Sequence, residues 1–127
     1  MIFGIGVDAV NCERMDEKRM TPYIIKRLFN KIEVENLPIS PKERQVYLAS
    51  RFAAKEALVK ALGEGFRFCA PRSIAVVNDE KGKPSFSFDK EVENRLPQNL
   101  SQIHLSITHE ESVAIAFVVL EVNDASK

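Results

Sequence analysis

The sequence predicts a single α+β domain over residues 1–127, an antiparallel sheet packed against one long helix and shorter helices. Three observations predict it. From Pro41 to Leu62 nothing breaks a helix, and Gly63 follows as a C-terminal stop, which makes one element of about 22 residues. The second half changes to short apolar runs in two pairs, each pair joined by polar turn residues. The chain also opens on an apolar run, Ile2 to Asp8, interrupted only by Gly4 and Gly6.

Ile2 to Asp8 reads as a strand whose glycines leave one face nearly bare, a sign of close approach by another backbone or by a ligand. Thr21-Pro22 is an N-cap followed by proline at the first helical position, so a short helix should run to about Asn30. Ser40-Pro41-Lys42-Glu43 repeats the signal and adds a capping-box carboxylate at Glu43. After the long helix, Ser73 to Asn78 and Pro84 to Phe88 form a hairpin around Asp79-Glu80-Lys81-Gly82-Lys83. Asp89 caps a helical stretch that Pro97 ends. Ile103 to Thr108 and Val113 to Val122 form the second strand pair, joined by His109-Glu110-Glu111-Ser112. Val113 to Leu120 is apolar without interruption, so both faces of that strand should be buried. One long helix and short ones cover one face of such a sheet, so the other face should meet another copy of the chain.

Composition bounds the function. Lys plus Arg and Asp plus Glu are 18 each, so the net charge is zero and no bulk attraction to nucleic acid or anionic lipid is expected. Cys12 and Cys69 have no metal-ligand spacing and are too few for a disulfide framework, which suits a reducing compartment. Met1 to Val10 is too short for a membrane span and lacks a basic leader, so the expectation is a cytoplasmic protein.

Few residues suggest chemistry. Asp8 ends the first strand, either as a turn aspartate or as a ligand for a hard cation. Gly4-Ile5-Gly6 is no dinucleotide fingerprint, because the third glycine is missing. On the long helix, Leu58, Ala54, Ala61 and Leu62 make an apolar face, while Glu56 and Lys60 lie on the other side, about 40° apart. Such a pair on an arbitrary helix is usually a solvated Glu–Lys contact. Here Ala53 and Ala57 flank it and leave room for something to approach, and Gly63 and Gly65 follow. A lone carboxylate with an adjacent lysine is what a magnesium–phosphate site requires, since Mg²⁺ takes one or two carboxylates and fills its shell with water and phosphate. His104, Ser106 and Thr108 share one strand face, opposite Leu105 and Ile107, and form either a ligand groove or a solvated face. Lys81-Gly82-Lys83-Pro84 is either a hairpin tip or a phosphate-holding turn.

Together, Gly4-Ile5-Gly6-Val7-Asp8, Arg51-Phe52-Ala53-Ala54-Lys55-Glu56-Ala57 with Lys60 and Gly63, Asn78-Asp79 with Gly82-Lys83-Pro84, and His104-Leu105-Ser106-Ile107-Thr108-His109 resemble the holo-acyl-carrier-protein synthase family, the small stand-alone 4′-phosphopantetheinyl transferases. Order and spacing agree along nearly the whole chain, and the central motif is the specific one. The resemblance implies the 4′-phosphopantetheinyl transferase fold and a homotrimer with coenzyme A held between neighbouring subunits. It implies that Asp8 and Glu56 bind Mg²⁺ with the coenzyme A diphosphate and that Lys60 sits beside that phosphate. Arg51, Gly63, Gly65, Lys83, Pro84, His104, Ser106 and Thr108 are assigned on the same basis to substrate binding. The partner it implies is an acidic acyl carrier protein, met by a basic patch for which Arg14, Lys26 and Arg27, with Lys18 and Arg19, are the candidates. One departure is Asn11, where the family commonly has glutamate.

The expected reaction is Mg²⁺-dependent transfer of 4′-phosphopantetheine from coenzyme A to a serine of apo acyl carrier protein, releasing adenosine 3′,5′-bisphosphate, in support of fatty acid biosynthesis. The competing readings are a non-catalytic acyl-carrier or nucleotide-binding module, favoured only by Asn11, and a diphosphate hydrolase, which would want more carboxylates.

Overall fold

Helix α3 (Pro41–Leu62) is the axis of the molecule, and it has the bounds its breaker-free sequence predicts. The structure is a computed structural model and describes residues 1–124, so the last three positions of the expected 1–127 domain lie outside the described residues. Around α3 the chain places β1 (Ile2–Asn11), a 3-10 turn at Cys12–Met15, α1 (Pro22–Leu28), α2 (Lys31–Glu35), β2 (Ile74–Asn78), β3 (Pro84–Phe88), α4 (Lys90–Glu93), β4 (Leu100–Glu110) and β5 (Val113–Val122). A three-stranded antiparallel sheet has the order β1-β5-β4, and β2-β3 forms a separate hairpin. This is the expected α+β class.

Alternation of side chains decides which sheet face meets α3. Ala114, Ala116, Val118 and Leu120 of β5 are buried, and α3 lays Ala53, Ala54, Ala57, Leu58 and Ala61 against that side of the sheet. The approach is closest at β1. A Cβ on Gly4 would lie 2.0 Å from the Ala61 carbonyl oxygen, and one on Gly6 1.9 Å from that of Ala57. The bare face of β1 therefore admits a helix backbone, and the small residues flanking Glu56 make room for a strand.

The opposite face of β5 is left free for a partner, as the helix count leads one to expect. Ile115 and Phe117 are 38% and 44% exposed, and Ile5 and Val7 of β1 are 60% and 54% exposed beside them. The unbroken apolar run is thus half buried within one chain, and its second half makes an uncovered apolar surface.

Local differences have local causes. Thr21 caps α1 through Ile24 N–H as expected, but α1 stops at Leu28 because Phe29 turns extended. Asn30 then starts the short helix α2, whose capping box with Glu33 the sequence reading missed. Ser40 and Asp89 hold the N-cap positions of α3 and α4 without a side-chain cap bond, so the box expected at Ser40–Glu43 does not form. Strand β4 runs on through Glu110, so the connection to β5 shortens to Glu111-Ser112, with Glu111 at φ 51°.

Candidate active site

Because Gly4, Gly6, Asp8 and Val10 alternate toward α3, the strand that touches the helix backbone also delivers the Asp8 carboxylate to it. Lys60 Nζ lies 2.9 Å from Asp8 Oδ1 and donates to the Val7 carbonyl oxygen at 3.0 Å. Asp8 is largely covered, while the Lys60 side chain is about half exposed, so the pair sits at a solvent-facing edge of the strand–helix contact, within β1 and not at its end as expected, because the strand runs on to Asn11. Glu56, one turn before Lys60, completes the cluster. Partial burial, then the charge of Asp8 and a hydrogen bond with it, push the Glu56 carboxyl above the usual glutamate range. Lys60 and Arg14 pull in the opposite direction without cancelling the rise.

The carboxyl groups of Asp8 and Glu56 are close enough to repel each other, with Lys60 beside them. A hard divalent cation between them would relieve the repulsion. Among the described residues no cluster of three or more His, Cys, Asp or Glu could hold a metal ion. The donor set is two oxygens from the protein, which fits Mg²⁺ completed by water and phosphate and does not fit a closed tetrahedral zinc site.

A second region is a groove of about 570 Å³ beside the first half of α3, lined by Lys42, Tyr47, Arg51, Asn78, Pro84 and His109, among others. The Arg51 guanidinium lies 3.8 Å from the Tyr47 ring centroid and donates to Asn78 Oδ1 at 2.7 Å. Among the described residues its Nε is buried without a hydrogen-bond partner. Asp8, Glu56 and Lys60 do not line this groove. Arg51 and Glu56 are five residues apart on one helix, about 140° around its axis.

The remaining candidates are distributed as follows. Gly63 terminates α3 in the left-handed conformation at φ 81°, and Gly65 opens the 3-10 turn that follows, with open space beside both. Pro84 lines the groove with Arg51, while Lys83 is exposed in the β2–β3 turn, its backbone N–H held by Asp79 Oδ1 at 2.8 Å. His104, Ser106 and Thr108 project from the exposed face of the sheet, opposite Val119, Phe117 and Ile115, and His104 pairs with Glu121 at 2.9 Å. Lys26 and Arg27 are exposed on α1, and Arg14 is exposed while close enough to Glu56 to favour its charged form. Asn11 Oδ1 accepts from Glu13 N–H at 2.9 Å and so caps the Cys12–Met15 turn. Tyr47 was not singled out from the sequence, and Asn78 and His109 stood in the matching stretches without a site role. His109 was signalled by strand parity, since it follows Ile103, Leu105 and Ile107 on the helix-facing side.

The model of the 4′-phosphopantetheinyl transferase superfamily matches residues 4–118. A holo-[acyl-carrier-protein] synthase of Clostridium novyi is 42% identical over 128 residues, covering 98% of this chain and 91% of the relative. The crystal structure of holo-[acyl-carrier-protein] synthase from Neisseria meningitidis superposes with a TM-score of 0.87 at 38% identity, over 95% of this chain and 99% of that one. The Bacillus anthracis enzyme, solved in complex with CoA (3′,5′-ADP), gives a TM-score of 0.81 at 32% identity over 97% and 99% of the two chains. The fold and the sequence therefore define a phosphopantetheinyl transferase. Within that class, the chain belongs to the holo-[acyl-carrier-protein] synthase family.

Proposed function

We propose that this protein transfers 4′-phosphopantetheine from coenzyme A to a serine hydroxyl of an apo acyl carrier protein, with Mg²⁺ held by Asp8 and Glu56. The observation that carries the reading is the Asp8–Glu56–Lys60 cluster, in which two carboxyl groups crowd each other beside one ammonium. Bound there, Mg²⁺ would neutralise charge on the coenzyme A diphosphate and orient it. Lys60, already beside Asp8, offsets the negative charge that grows on the bridging oxygen as it leaves. The serine oxygen forms a bond to the phosphorus that carries the pantetheine arm. The bond from that phosphorus to the bridging oxygen breaks, and adenosine 3′,5′-bisphosphate departs. The serine proton passes to Glu56 or to a water beside the cluster.

The arrangement also supports a site completed by a second copy of the chain. The groove lined by Arg51 and the carboxylate cluster lie around different sides of α3, about 140° apart, which favours a ligand spanning two protomers. The apolar outer face of Ile5, Val7, Ile115 and Phe117 offers the contact that would bring one protomer's groove to another's carboxylates. The family resemblance adds that the assembly is a homotrimer acting in the cytoplasm in fatty acid biosynthesis, and the exposed apolar face suits closure of such an assembly. Among the described residues no helix is long and apolar enough to cross a membrane. Arg14, Lys26 and Arg27 are exposed and supply the cationic surface an acidic carrier would need.

Mass spectrometry of apo carrier protein after incubation with coenzyme A and Mg²⁺ tests the reading. Addition of the phosphopantetheine arm to the carrier is expected. Release of free phosphopantetheine would identify a hydrolase instead, and no change in either molecule would leave only a binding module.

A further inference from the structure

Among the described residues, the most deeply enclosed charges take no part in the proposed chemistry. Lys55 and Glu33 are both buried, with side chains at 0% exposure, and Lys55 Nζ is hydrogen-bonded to Glu33 Oε1. The pair lies at the junction between two helices. Lys55 Nζ also donates to the carbonyl oxygen of Leu28, the last residue of α1, at 2.9 Å. Glu33 Oε1 accepts from Asn30 N–H, the N-cap of α2, at 2.9 Å. A cation thus meets the C-terminal end of one helix and an anion the N-terminal end of the next, each matching the partial charge it faces.

Glu33 reaches further than the helix ends. Its Oε2 accepts from Val76 N–H of β2 at 2.9 Å, and its backbone carbonyl accepts from Tyr47 Oη at 2.6 Å. The Tyr47 ring in turn underlies the Arg51 guanidinium. Lys55 is the immediate neighbour of Glu56 on α3, and its ammonium lies 4.8 Å from the Phe29 ring centroid. One ion pair therefore ties α1, α2, β2 and α3 together. A surface of stability alone would not need it, because well-packed apolar side chains fill such a place at no greater cost.

We propose that Glu33 and Lys55 are positioning residues that hold α1, which presents Lys26 and Arg27, in fixed register with the Glu56 face of α3. The proposal rests on the carrier-transferase reading for its kinetic consequence. Its structural consequence stands apart from that reading. Loss of the pair frees the α1–α2 segment to shift over α3, so the carrier is bound less well while the chemistry, once the carrier is seated, is retained.

The test uses the full-length protein and the double variant Glu33→Gln/Lys55→Met, which removes both charges together and keeps an acceptor for Val76 N–H. Glu33→Asp, which keeps both charges and draws the carboxylate back from Asn30 N–H and Val76 N–H, is the second variant should the double one fail to fold. With circular dichroism confirming a folded state, the KM for apo carrier protein is expected to rise about fivefold or more while kcat stays within about twofold. Amide exchange should quicken in residues 22–35 and not in β1 or β5. A folded variant with unchanged carrier KM overturns the proposal, and so does a fall in kcat at constant KM, which signals only lost active protein. Should the wild-type protein attach nothing to the carrier, the transferase reading fails, and amide exchange alone decides the positioning role. Faster exchange confined to 22–35 supports it, and exchange spread evenly through the sheet refutes it.

Discussion

Gly6 and Ala57 meet backbone to backbone: a side-chain carbon on Gly6 would lie 1.9 Å from the Ala57 carbonyl oxygen. No side chain tip can swing aside at that contact, because the obstacle is the helix itself. The contact sets where Asp8, two residues further along the same strand face, stands relative to Glu56, one residue before Ala57.

Gly6→Ala should therefore act on stability and activity together. Forcing β1 away from α3 should cost about 3 kcal/mol or more, read by urea unfolding. Turnover of the remaining folded protein should fall about a hundredfold, as expected for a misplacement near 1 Å at a catalytic pair.

Glu56→Gln should separate function from fold. Turnover is expected to drop by about two orders of magnitude or more. The melting temperature of the metal-free protein at neutral pH should rise, because the substitution removes a carboxylate repelled by Asp8 in a partly buried place. Near-wild-type turnover in excess Mg²⁺ would rule out the metal role.

The pH dependence follows from the same group. The Glu56 carboxyl is raised in the folded state, so its contribution to stability is fully present below the ordinary glutamate range and is lost as pH rises through the raised value. The metal-free protein should accordingly lose stability over that interval, and Mg²⁺ should restore it. Conversely, Mg²⁺ must displace a proton to bind, so its affinity should weaken on acidification before an unperturbed carboxylate would protonate. Thermal melts with and without Mg²⁺ across mildly acid to neutral pH check both signs.

Phe117→Asp places a charge on the exposed apolar face without touching the inner core, since Phe117 alternates with buried Ala116 and Val118. Sedimentation should show an assembly for the wild type and a monomer for the variant. Transfer should fall with assembly if a second copy completes the site.

Much of this was legible before the fold. The bounds of α3 were written in Pro41, Gly63 and the absence of breakers between them, and the hairpin β2–β3 in its turn residues. The pairing of Asp8 with Glu56 and Lys60 came from the family motif, because 48 residues separate the two acids and no local periodicity joins them. Helix α2 was hidden, since five residues show no period and its start depends on Phe29 leaving helical geometry. The burial of Lys55 was equally hidden. On a helix surface that residue looks solvated, and only the fold brings Glu33 to it from 22 positions away. The uncovered half of β5 was legible as apolar, but alternation in a single chain covers only one of its faces.

The claim on which the mechanism depends is that Asp8 and Glu56 share one divalent ion with the coenzyme A diphosphate. Calorimetric titration of coenzyme A with and without Mg²⁺ tests it most directly. The wild-type protein should bind coenzyme A about tenfold more tightly with the ion present, and Asp8→Asn/Glu56→Gln should bind it equally in both conditions. A variant that keeps the full Mg²⁺ enhancement would show that the ion is held elsewhere.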